Sequence, residues 1–161
     1  MALSDLDLVE LAQYSITRLD GGWFLGVARK LGVETAWEMD IEAWNHFSYV
    51  FGKKLRKDYL TDPVWPDSYV EAINIQGQLL KNEGRQITVE GDVITVRTDD
   101  CETQKMIAKA GVADCGIVTV QSYEQLAQGL FARSLAVSVQ HVKNLNQGDD
   151  CCEVIIKLKT V

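Results

Sequence analysis

At Gly84 the spacing of apolar residues in this chain changes from helical to strand-like. Upstream, Leu6, Val9, Ala12, Ile16, Leu19, Trp23 and Val27 recur every three or four residues without losing phase. That is the period of an amphipathic α-helix. Downstream, residues 86–90 and 93–98 alternate β-branched and polar side chains around Gly91-Asp92, which reads as a hairpin. One change of period, with helices first, predicts an α+β fold. Residues 1–84 form a helical region and residues 85–161 carry a four-stranded, mainly antiparallel sheet with two helices between its hairpins, the whole making one compact unit.

Local signals place the elements. Ser4 with Asp7 forms a capping box that opens a first helix. Its phase survives Gly21-Gly22 and runs to about Lys30, where Gly32 ends it. A second helix is expected over residues 41–59, with Asp40 as its N-cap and Trp44, Phe47, Phe51 and Leu55 as its apolar stripe. His46 falls on its outer side. Pro66 suits the first turn of a third helix reaching about Lys81, ended by Asn82-Glu83-Gly84. Helices over about 102–110 and 122–134 follow. Strands over 135–142 and 152–160 then pair through the polar loop 144–150.

The chain of 161 residues has a net charge of −7, and no part is basic enough to neutralise many phosphates. Nucleic acid is therefore not an expected partner. No run of about 18 apolar residues is present, so no membrane span is expected. The start, Met-Ala-Leu-Ser-Asp-Leu-Asp, carries acids where a signal peptide needs bases. A cytoplasmic location is expected, with the four cysteines as thiols or metal ligands rather than disulfides.

Motif searches find no phosphate loop, nucleophile elbow, His-Glu-x-x-His or Cys-x-x-Cys. Isolated residues carry the chemistry instead. Asp20 projects into the apolar stripe of the first helix, where an acid is costly unless partnered. It is either a carboxylate lining a pocket or a cap where the helix breaks at Gly21. In the C-terminal half, strand alternation turns His141 and Cys152 to the apolar face, while Cys101 and Cys115 flank the short helix between the hairpins. These three cysteines and one histidine match the donor set of a tetrahedral zinc site. Equally, each cysteine can be a small buried hydrophobe. Trp23, Trp44 and the neighbouring aromatics either line a ligand cavity or form core or a dimer interface.

The phrase Leu19-Asp20-Gly21-Gly22-Trp23-Phe24, then Ala36-Trp37-Glu38-Met39-Asp40 and Trp44, resembles the N-terminal half of a prokaryotic family of L-2-amino-thiazoline-4-carboxylic acid hydrolase-like proteins. The later part, with Cys101, Cys115, the helix from Ser122 and Asp149-Asp150-Cys151-Cys152, is similar to the cysteine-bearing domain of 4-vinyl reductase-type proteins. The resemblance implies a domain for small hydrophobic molecules and metal. It carries over Asp20 and Trp23 from the first part, and Cys101, Cys115 and either Cys151 or Cys152 from the second. The doubled cysteine departs from the pattern and leaves that last position ambiguous.

Three functions compete. The first is a small-molecule-binding protein whose pocket lies between helices and sheet and uses Asp20, Trp23 and Trp44. The second is a hydrolase of a small cyclic amidine or thiazoline carboxylate, with Cys152 as nucleophile or Asp20 as general base. The third is an interaction protein that forms a homodimer through its aromatic face.

Overall fold

The computed structural model describes residues 2–82 and 84–159. Three helices come first: α1 (Asp5–Leu31), α2 (Val33–Asp58) and α3 (Asp67–Leu79). Then follow β1 (Arg85–Glu90), β2 (Val93–Thr98), α4 (Glu102–Lys109), α5 (Gly116–Leu130), β3 (Val137–Lys143) and β4 (Cys152–Leu158). The fold is α+β, with an antiparallel sheet in the order β1-β2-β4-β3. Two expected details, the third-helix stop at Glu83 and the strand end at Thr160, lie outside the described residues.

The start of α1 is locally encoded. The Asp7 backbone N–H donates to Ser4 Oγ at 3.2 Å, and the Ser4 N–H donates back to the Asp7 carboxylate at 2.8 Å. The helix passes through Gly21-Gly22 unbroken, so Asp20 is not a cap. Gly32, at φ +93°, ends α1 and lets α2 begin at once. Positive φ is a region that glycine enters at little cost. The expected start of α2 at Ile41 is therefore corrected by eight residues: 33–40 hold no glycine or proline to stop a helix. Asp40 is accordingly not an N-cap. It sits inside α2 and is only 6% exposed.

The helix expected from Ser122 begins earlier, at Gly116. There the Asp114 carboxylate accepts the Gly116 N–H at 2.7 Å and satisfies a donor at the helix start. This helix packs closely against α2. A Cβ on Gly52 would collide with the backbone of Leu126 and Leu130, and one on Gly129 with the backbone of Tyr49 and Lys53.

One apolar core draws on both halves of the chain. It joins Leu55 of α2, Tyr69 and Ile73 of α3, and Leu126 and Leu130 of α5 to the inner face of the sheet. In register across that face lie Ile94 with Ile156, Val96 with Val154, and Val139 with Ile156. The Tyr69 hydroxyl donates to the Tyr123 carbonyl at 2.7 Å inside it, so the buried phenol is satisfied.

The stripe predicted to bury α1 does not do so. Leu6 is 71% exposed and Leu19 76%, and Val9, Ile16 and Trp23 are exposed as well. The buried residue of α1 is Phe24, which packs with Val27 and Ala28 against Ala36, Trp37 and Val112. The helix is rotated from the predicted orientation because Thr17, Asp20, Gly21 and Phe24, rather than Leu19 and Trp23, face α2 and the sheet half.

Candidate functional site

Between the helical half and the sheet lies a cavity of about 630 Å³. Its position follows from the sheet register. Val96 and Thr98 on β2 stand opposite Val154 and Cys152 on β4, and His141 on β3 stands opposite Val154. That row forms the floor. Above it, α1 contributes Asp20 and Phe24 one helical turn apart, and α2 contributes Trp37, Asp40 and Trp44 on one face. Arg85, at the start of β1, and Tyr123 of α5 close another side.

The two acids share one environment. Burial raises the Asp20 pKa, partly offset by a hydrogen bond from the Trp44 side chain. Burial, and then the neighbouring Asp20 charge, raises Asp40 to about 7. Both shifts follow from removing a carboxylate from water, and for Asp40 the like charge of Asp20 adds to it. Asp40 Oδ1 is buried without a hydrogen-bond partner.

Other polar groups at the cavity are also short of partners. Arg85 donates from Nη1 to the Ile73 carbonyl at 3.3 Å, while its Nε is buried and unpartnered. Both ring nitrogens of His141 are buried and unpartnered, and burial lowers its pKa, favouring the neutral ring.

Of the residues singled out from sequence, Asp20, Trp44, Cys101, Cys115, His141 and Cys152 all border this cavity, and Trp23 does not. Trp23 lies on the outer side of α1, 44% exposed. The cysteines do not form a metal-ligand set. Among the described residues no group of three or more His, Cys, Asp or Glu is placed to hold a metal ion. Their side chains are occupied locally. Cys101 Sγ accepts the Gln104 N–H at 3.4 Å as a helix cap, Cys152 Sγ accepts the Leu145 N–H at 3.4 Å, and Cys115 lies 3.8 Å from Asn144 Oδ1. All four cysteines are free thiols. Burial pushes Cys115 up to about 12 and Cys152 upward as well. A nucleophile needs the opposite shift, toward thiolate.

Sequence reasoning missed Asp40 and Arg85 as cavity residues. A signal existed for each. Asp40 stands at helical spacing from both Trp37 and Trp44, and Arg85 shares its strand face with Ile87, so both lie on faces that pack inward.

The fold has solved counterparts. The phenol-responsive sensory domain of the transcription activator PoxR, crystallised with phenol, superposes with a TM-score of 0.55 at 10% identity, covering 86% of this chain and 72% of that one. Trafficking protein particle complex subunit 3 from Naegleria fowleri, covalently bound to palmitic acid, gives 0.56 at 10% identity, covering 94% and 97%. At this identity they show a shared fold. No curated protein matches the sequence. The hydrolase-like and reductase-type likenesses of the motifs therefore remain resemblances. A family model does match residues 3–148, and the chain belongs to that family of unknown function, DUF6125.

Proposed function

We propose that this protein binds a small, largely apolar organic molecule in the cavity between its helices and its sheet. The observation that carries this reading is a space of about 630 Å³, walled by Phe24, Trp37, Trp44 and Val96 and bordered by polar side chains that include Asp20, Asp40, Arg85 and His141. Ligand sites are commonly concave, mostly apolar and of this size, with a few polar groups that fix orientation. The related fold of a phenol-responsive sensory domain supports the reading. So does that of a subunit bound to palmitic acid. The 1–84 and 85–161 regions then act as two walls of one binding unit.

Native mass spectrometry against a panel of aromatic and aliphatic small molecules tests it. Binding at one molecule per chain is expected, and Val118→Trp, which fills the cavity from α5, should abolish it. A panel that never binds, or binding unaffected by Val118→Trp, would refute the reading.

A second reading, homodimerisation, rests on α1. Its outer side carries Leu8, Ile16, Leu19 and Trp23, all exposed. Its first turn carries Asp5 and Asp7, and its last turn Arg29 and Lys30. Two copies of α1 packed antiparallel about a twofold axis would bring each acidic end to a basic end, while the apolar faces meet over about 40 Å of helix. The occupant of this face is thus a second copy of the chain. Light scattering after gel filtration should give twice the chain mass, and Leu19→Glu should return it to the monomer mass. A wild-type monomer at micromolar concentration rules this reading out.

A further inference from the structure

We infer that the ligand carries a protonated amine, and that Asp20 and Asp40 receive it against the rings of Phe24, Trp37 and Trp44. This rests on the cavity being the binding site and names the chemistry it selects.

The geometry is specific to this end of the cavity. Asp20 and Phe24 lie one turn apart on α1; Trp37, Asp40 and Trp44 lie on one face of α2; and all five border the same space. Asp40 is 6% exposed, with Oδ1 buried and unpartnered. Among the described residues no ion pair reaches either acid. The cavity is also lined by Arg18, Arg85 and Lys109; Arg18 stacks over the Tyr14 ring at 5.0 Å, and Arg85 is bonded to the Ile73 carbonyl.

A buried carboxylate beside a half-buried one, with no ion pair to either, is costly. Without a ligand they lower that cost by holding a proton. An ammonium group lowers it further, because its N–H groups donate to the carboxylates that border the cavity and its charge offsets both acids. The aromatic walls contribute in the same direction, since ring faces attract cations, most strongly where water is excluded. A neutral hydroxyl of the same shape could donate one hydrogen bond but would leave the second carboxylate uncompensated. An anionic group would meet two like charges at this end of the cavity. The pair thus selects on charge, and the remaining apolar walls select on shape.

The test compares tryptamine with its hydroxyl isostere tryptophol by isothermal titration calorimetry near pH 8, on wild type, Asp40→Asn and Asp20→Asn. Tryptamine should bind at least tenfold more tightly than tryptophol to wild type. Each Asn variant, its fold checked by circular dichroism, should lose most of that preference while still binding tryptophol. Equal affinities in wild type, or tighter tryptophol, overturn the ammonium assignment and leave the cavity reading standing. A preference retained in both variants overturns the assignment to these acids. Binding of neither probe at millimolar concentration counts against the assignment and the cavity reading together.

Discussion

Helices α5 and α1 carry apolar residues at the same helical spacing and meet opposite fates. In α5, Leu126, Ala127 and Leu130 are fully buried, and the helix is pressed onto α2 where Gly52 and Gly129 leave room for backbone contact. In α1, 27 residues long, Phe24 alone is buried. The difference lies in what covers each face. The sheet packs against one side of α5 and α2 against another, whereas α1 touches the body through a narrow line that includes polar Thr17 and Asp20. An apolar stripe in sequence therefore marks a surface that is to be covered, without saying whether this chain or another molecule covers it. The helix that holds the core together is α5. Helix α1 has the cavity on one side and an open apolar face on the other.

The contrast can be broken hardest at the α2–α5 contact. Gly129→Ala sets a methyl group against the Tyr49 carbonyl, where backbone rather than a flexible side chain must give way. It should cost about 3 kcal/mol, at the upper end of ordinary overpacking, read as a lowered midpoint in urea. A loss below about 1 kcal/mol would mean that α5 is not pinned as the geometry requires.

Comparable in size is the acid pair that α1 and α2 bring together. The folded-state pKa of Asp40, about 7, stands above the value near 3.9 expected of an unfolded chain. The folded form holds its proton longer than the unfolded form, so stability is greatest below about pH 4. It falls as pH rises and levels off above about pH 7. The full loss is on the order of 3 to 4 kcal/mol. Without ligand, Asp40→Asn should therefore be more stable than wild type at pH 8, by up to about that amount, and the advantage should vanish toward pH 4. Parallel stability curves for the two proteins across this range would show that Asp40 does not titrate in a buried site.

The smallest effect belongs to the outer face of α1. Leu19→Glu should change the stability of a single chain by no more than about 0.5 kcal/mol, as for other exposed positions, even where it removes self-association. A larger, concentration-independent loss would show that Leu19 packs against its own chain.

Much of the fold was legible locally. The Ser4–Asp7 box, the break in period at Gly84 and the turn at Gly91-Asp92 each depend on neighbours within a few residues, and each stands where the sequence places it. The inward phase of His141 and Cys152 was legible for the same reason, because side chains on a strand alternate whatever surrounds them. The second helix was misjudged because Asp40 is a good N-cap residue in isolation. With Gly32 able to turn the chain sharply, the helix simply begins earlier.

Periodicity shows that a helix has an apolar side but not what lies against it, so the sequence alone determined the elements, their order and the face that each strand presents. Tertiary packing decided the rest. The rotation of α1 kept Asp20 on the inner side, as its spacing predicts, but turned Trp23 and Leu19 outward, and the fold set Asp20 beside Asp40 and left Leu6 exposed. Those outcomes depend on residues far apart in the chain meeting across a cavity, and the electrostatics of a carboxylate pair exist only once both acids have been taken out of water into the same place.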